Sequence, residues 1–350
     1  MWEILYVSFL TLSFQGLLAY GQTCPLADDI APCRCTRDAE AEKLDLDCSN
    51  VLDTWQFERI FQARFPSTAF RELKMTGTED HRIPVVYLAD NVFGNLSFTS
   101  VVIKYTNISH VGEKTFESSH DTLEKLTVSH SELKVFPATN LPYFSKLSVL
   151  DLSHNKMVFL QDVHSHSLQS LNVEYNQQLA FSDSLLAWVP SLLDMTMAYC
   201  GIEHIPPGLF STAEILSNVN MEGNKLTHLD SAALAFASND VLEIILSDNQ
   251  ISGADKDFMS GTSASVNLVM MNNKLEELPE AVWRPILQYA KDEHGAGFVT
   301  LDGNPFSCGC KFSWLVTSPD LLHYVARGAA CDDGSLIHDL NPEYFLDHCH

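Results

Sequence analysis

The sequence is poor in positive charge, has one cysteine between its terminal clusters, and contains only one long hydrophobic run. Lys and Arg number 21 against 45 Asp and Glu, a formal net charge of −24. A surface of that sign repels phosphate backbones and anionic headgroups. Nucleic acid and membrane surfaces are therefore not expected partners, whereas a cationic protein, a neutral sugar or a small molecule is compatible. Motifs for chemistry are missing as well. There is no Gly-x-Ser-x-Gly elbow, no phosphate-binding glycine loop, no His-Glu-x-x-His pair and no dinucleotide fingerprint. No Cys-x-x-Cys pair suggests zinc. Disorder does not fit either, because 46% hydrophobic and 19% charged residues are the proportions of a folded chain.

The one long apolar run, Ile4 to Ala19, reads as the core of a secretory signal. Ala19-Tyr20-Gly21 places small residues ahead of a cut before Gln22, although the segment upstream has Glu3 and no Lys or Arg. We assign 1–21 as a signal peptide and expect a secreted, extracellular chain that does not insert in a membrane. Nine cysteines agree with that compartment. Cys24, Cys33, Cys35 and Cys48 crowd the start, and Cys308, Cys310, Cys331 and Cys349 crowd the end. Such sets read as two disulfide-stapled caps, 22–49 and 304–350, around a middle of 50–303. Spacing alone does not choose the partners.

The middle repeats. Leu147-x-x-Leu150-x-Leu152-x-x-Asn155 returns as Leu168-x-x-Leu171-x-Val173-x-x-Asn176, then around Asn224, Asn249, Asn273 and Asn304. The asparagine position is held by Thr78, Thr106 and Ser131 upstream and by Cys200 in mid-array. From 106 to 273 it advances by 25, 24, 21, 24, 24, 25 and 24 residues, and the final repeat lengthens to 31. The apolar-x-apolar core of each unit is a short strand with side chains alternating in and out. The following turn buries backbone groups that a ladder of Asn amides can satisfy. Cys200 falls on an inward ladder position, which makes it a small buried stand-in for Asn rather than a nucleophile. Pro137, Pro206 and Pro279, with Phe116, Leu141, Phe210 and Trp283, mark the returning outer segment.

This pattern resembles extracellular leucine-rich-repeat proteins of the 24-residue type, from about Leu44 through Asn304. The resemblance implies an α/β repeat solenoid, a curved leucine-rich-repeat array with a parallel concave sheet of about eleven short strands and a disulfide cap at each end. By it we expect the pairs Cys24–Cys35, Cys33–Cys48, Cys308–Cys331 and Cys310–Cys349. The stretch Gly297-Phe298-x-x-Leu301-Asp302-Gly303-Asn304-Pro305-Phe306-x-Cys308-Gly309-Cys310, with Trp314-Leu315-Val316-Thr317, looks like a group of secreted arthropod proteins. That group includes a non-catalytic subunit of a luciferase-like monooxygenase. The resemblance implies a non-enzyme that partners a small secreted catalytic subunit.

Candidate binding residues follow from the register. The residues just before five successive ladder positions are Tyr105, His130, His154, Tyr175 and Tyr199. They should form a stripe at the strand spacing, suited to protein side chains, sugars or a flat organic ligand. Asp151, Glu174 and Glu222 stand beside it, with Asp194, Glu243, Asp248 and Asp302 continuing the acidic face. Ser129 and Ser153 are read as outward polar groups among them. His130 and His154 have no third strong ligand in their column, so neither metal nor cofactor is assigned, and no catalytic residue is. His164-Ser165-His166 reads as a solvated connecting loop. Asn95-Leu96-Ser97 and Asn107-Ile108-Ser109 are glycosylation sequons. The expected function is extracellular binding of a protein or glycan along the concave face. A matrix, adhesion or innate immune recognition role is the alternative.

Overall fold

The structure, a computed structural model, describes residues 23–38, 43–237 and 239–349. The signal-peptide assignment 1–21 falls outside the described residues. Twelve strands form one sheet: β1 (Arg34–Arg37), β2 (Leu44–Asp47), β3 (Ala69–Thr76), β4 (Ser97–Lys104), β5 (Lys125–Ser129), β6 (Val149–Asp151), β7 (Ser170–Asn172), β8 (Asp194–Thr196), β9 (Asn218–Asn220), β10 (Val241–Ile245), β11 (Thr262–Val269) and β12 (Val299–Thr300). All neighbours from β2 onward pair in parallel, so the parallel array has the eleven strands that the repeat implies.

One residue column shows how the register works. Leu126, Leu150, Leu171, Met195, Val219, Ile244, Leu268 and Val299 lie opposite one another from strand to strand, and all are buried. A slip by one residue would turn this set outward, so the period-two pattern fixes pairing. Behind the sheet the returning segments make short turns and two-residue parallel pairs. There the expected outer positions Phe116, Leu141, Phe210 and Trp283 are buried. Aromatic contacts such as Phe93–Phe116 (5.6 Å) and Phe210–Phe236 (5.2 Å) tie successive repeats together.

The ladder operates as chemistry requires. Asn176, fully buried, donates from Nδ2 to the carbonyls of Leu152 (3.1 Å) and Val173 (2.8 Å), and its Oδ1 accepts from the Met157 amide at 2.9 Å. Asn155, Asn224, Asn249, Asn273 and Asn304 repeat this three-way bonding. Each side chain therefore bridges two repeats. Cys200 takes the same position with a weaker bond, Sγ to the Val173 carbonyl at 3.2 Å. Burial pushes its thiol up to about 11, the opposite of activation.

Disulfides join Cys24 to Cys35, Cys33 to Cys48, Cys308 to Cys331 and Cys310 to Cys349. At the start, β1 runs antiparallel to β2 and covers the first edge of the array. At the far end, the Val299 amide donates to the Tyr324 carbonyl and the Ala326 amide donates to the Val299 carbonyl, which occupies the last edge. Both ends of the parallel array are thus covered, which removes the open strand edges there.

Candidate binding surface

Each strand from β4 to β12 is followed by one residue with left-handed backbone, placed directly before the ladder position. Tyr105, His130, His154, Tyr175 and Tyr199 have φ between +49° and +55°, as do Asp248 and Asn272, while Gly223 and Gly303 hold the same place at +66° and +74°. Their amides carry the sheet onward. His154 N–H donates to the Glu174 carbonyl at 2.8 Å, Tyr175 to Ala198 at 2.9 Å, and Tyr199 to Glu222 at 2.8 Å. From Tyr105 to Asn272 every member of the column is therefore pinned to the next repeat by its own backbone.

The pinned spacing brings the rings face to face. Tyr105–His130, His130–His154, His154–Tyr175 and Tyr175–Tyr199 stack with centroids 4.4, 4.0, 4.3 and 4.6 Å apart and planes within 17°. The stack closes on Gly223, where an added Cβ would lie 2.2 Å from the Tyr199 ring. The five predicted stripe residues thus do come together, but in a manner that alters their chemistry. Strand spacing equals stacking distance, so the faces between neighbouring rings are consumed internally. A sugar or flat ligand cannot lie on those faces. What the column offers is ring edges, with phenol hydroxyls and imidazole nitrogens, Tyr175 being the most exposed at 38%.

The parallel stack also sets the two imidazoles side by side, so their in-plane lone pairs do not converge on a shared ion. Tyr199 OH donates to Glu222 Oε1 at 2.9 Å, and that bond holds its phenol protonated, pushed up to about 12. His154 Nε2 lies 3.8 Å from Glu174 Oε1. The His130 pKa falls below its usual range because burial disfavours its charge. Its neighbours His154, Lys104 and Arg82 add to this electrostatically, and Asp151 opposes it.

The carboxylates beside the column are partly engaged by neighbours. Asp151 accepts from the Ser153 hydroxyl (2.6 Å) and amide (3.0 Å), and Asp194 accepts from Asn218 Nδ2 at 2.6 Å. Ser129 and Ser153 are buried rather than outward, 1% and 4% exposed. At their place in the repeat only longer side chains such as Glu174, Glu222 and Met271 reach solvent. The segment 164–166 is exposed at His164 and His166 yet ordered. Ser165 is buried, His164 bridges to Trp188, and Trp188 Nε1 donates to His166 Nε2 at 3.1 Å.

Sequence reasoning missed Arg82. Its Nη2 donates to the carbonyls of Thr106 (2.6 Å) and His130 (2.8 Å), and its Nε donates to Asn107 Oδ1 at 3.3 Å, clamping the N-terminal end of the column. Arg82 precedes the regular repeats, so no register pointed to it. The left-handed backbone did leave a signal: Gly223, Asp248, Asn272 and Gly303 are residues that tolerate it, all in one column.

Fold and surface together define a leucine-rich-repeat solenoid, disulfide-capped at both ends, with a stacked ring column along the C-terminal border of its parallel strands. Over 329 residues, 93% of this chain and 88% of the relative, the sequence is 29% identical to the Oplophorus-luciferin 2-monooxygenase non-catalytic subunit of Oplophorus gracilirostris. It is also 29% identical over 136 residues, 37% of this chain and 88% of the relative, to fibromodulin of Oryctolagus cuniculus. Among solved structures, a chain in the octameric complex of Latrophilin 3, Unc5D and FLRT2 matches with a TM-score of 0.67 at 18% identity, covering 91% of this chain and 99% of that one. Human 5T4, the trophoblast glycoprotein, matches with a TM-score of 0.52 at 19% identity, covering 93% and 98%. These structural likenesses concern the fold. No protein-family model matches the chain.

Proposed function

We propose that this chain is a secreted, non-catalytic binding protein that holds a protein partner along the ring column and the carboxylates beside it. Its role is that of an accessory subunit in a secreted complex. The observation that carries this reading is the run of five bulky rings in left-handed backbone. Such a conformation costs a residue other than glycine about 1–2 kcal/mol, and each ring pair returns about 0.5–1.5 kcal/mol. Four pairs at best offset five strained residues, so stability alone gives no reason to prefer rings over the Gly used at 223 and 303. Strain retained without a stability gain points to a contact made there.

Ring edges flanked by Glu174, Glu222 and Asp151, on a chain of net charge −24, suit Lys, Arg and hydrogen-bonding side chains of a basic partner. Likeness across 93% of the chain to a protein named as a non-catalytic subunit supports the accessory role. Four disulfides and the hydrophobic run near the N-terminus support secretion. Glycans on Asn95 and Asn107 would occupy the N-terminal third and leave Tyr175 and Tyr199 open.

Native pull-down from the source secretion, read by mass spectrometry, tests this directly. A stoichiometric small protein, lost when His130→Ala and Tyr175→Ala are combined, is the expected result. Unchanged capture by the folded double variant removes the column as the site. Retention by a glycan or matrix array with no protein partner replaces the subunit role with an adhesion or recognition one.

A further inference from the structure

Far from the ring column, the last repeats depart from the regular pattern in three ways that together enclose a cavity of about 390 Å³. First, β11 is too long for its neighbour. While β10 advances from Val241 to Glu243, β11 advances from Thr262 to Asn267, so residues 263–266 bow out of the ladder. Second, the lengthened final repeat places a helix, Glu280–Asp292, opposite that bow. Third, two glycines let the returning chain press against it. A Cβ on Gly295 would lie 1.9 Å from the Ala264 carbonyl oxygen, and one on Gly297 would lie 2.1 Å from the Val266 carbonyl oxygen. Ala296 N–H donates to Ser265 Oγ at 3.0 Å and Phe298 N–H donates to Asn267 Oδ1 at 3.2 Å, fixing this wall. The cavity is therefore held open by backbone packing and side-chain bonds, not by a chance gap between rotamers.

Its lining is mostly apolar. Met259 and Val266 face Ile286 and Tyr289 across the space, with Phe298 and Tyr324 at the cap end. Ser260, Thr262, Ser263 and Asn239 add neutral polar groups, and the one charged lining residue is Lys256, which forms no ion pair among the described residues. A chain with more than two acids per basic residue has here a cavity lined, among the described residues, by a cation and no carboxylate. Volume and lining both fall in the range of small-molecule sites, apolar with a few convergent polar groups.

We propose that this cavity binds a small amphipathic molecule, an apolar ring or short chain carrying one anionic group, with the apolar part between β11 and the helix Glu280–Asp292 and the anion toward Lys256. The site is separate from the ring column and does not depend on its having a partner.

The test uses the secreted full-length chain and two fluorescent probes sharing one ring system, anionic 1-anilinonaphthalene-8-sulfonate and uncharged N-phenyl-1-naphthylamine. Both should bind saturably at one per chain. Ala290→Trp, which fills the cavity from the helix, should abolish both. Lys256→Glu, at an exposed position, should weaken the anionic probe roughly five- to tenfold while leaving the neutral one within about twofold. Circular dichroism and the unfolding midpoint establish that each variant is folded. Non-saturable binding, or saturable binding that a folded Ala290→Trp leaves intact, overturns the site. If Ala290→Trp does not fold, the Lys256→Glu comparison decides. Equal weakening of both probes, or of neither, overturns the assignment of the anion.

Discussion

Replacing His154 separately with Ala and with Gly resolves the two opposing contributions in the ring column. The His154 ring lies 4.0 Å from His130 and 4.3 Å from Tyr175, both nearly parallel. Either substitution removes two stacked contacts, worth about 1–3 kcal/mol together. Ala retains a Cβ at φ +53° and so keeps the left-handed cost of about 1–2 kcal/mol. Gly relieves that cost but gives back about 0.5–1 kcal/mol through the freedom it adds to the unfolded chain. The Ala variant is therefore expected about 1–3 kcal/mol below the parent, with Gly at least as stable as Ala, by up to about 1.5 kcal/mol. Urea unfolding followed by circular dichroism, compared at equal m values, measures both differences. A Gly variant less stable than Ala would refute the claim that this column stores backbone strain. An Ala variant as stable as the parent would refute the stabilising role of the stack. The first outcome removes the strain on which the binding proposal rests.

The amide ladder predicts an effect of similar size. Asn176→Ala leaves the Met157 amide without its acceptor, while the Val173 carbonyl keeps only the weak Cys200 Sγ donor. One buried orphan costs about 1–3 kcal/mol, the loss expected in the same urea assay; a loss well below about 1 kcal/mol would mean that the Met157 amide finds another partner. Acid should also weaken the fold through His130. Its folded pKa is depressed, so the unfolded chain takes up the proton first. The stability it contributes is complete above the unfolded value near pH 6.5 and is lost as pH falls through the lower folded value. Urea midpoints measured downward from about pH 7 should therefore fall, and His130→Tyr should flatten that slope. An unchanged slope in the variant removes His130 as the source.

The repeat period, the inward column and the Asn ladder were legible in the sequence because each arises from a local rule repeated many times. Leu150 and Leu171 cannot serve the core in any other register. The stripe was legible as a position and not as a geometry. Side-chain alternation places Tyr105 to Tyr199 in one column, but the left-handed backbone at these residues is set by tertiary pairing of their amides with the next repeat. Propensity gives no reason to expect Tyr there. The same override explains Ser129 and Ser153, whose short side chains are closed over where Glu174 and Glu222 reach out. Arg82 and the cavity beside β11 come from irregular segments, and irregularity is what a periodic reading discards. The 31-residue final repeat was visible as an excess of length, without any indication that the excess faces a bowed strand.

The amide rungs of the ring column separate what holds the surface in place from what it displays. Position is set by a main-chain donor and a buried ladder residue, neither of which belongs to the displayed ring. The column thus behaves as a line of type at fixed pitch, one character per repeat, in which changing Tyr175 rewrites a single character and leaves its neighbours aligned. Recognition built this way can be retargeted in small steps, and a chain that gained or lost a repeat would lengthen or shorten the message without altering the spacing of what remained.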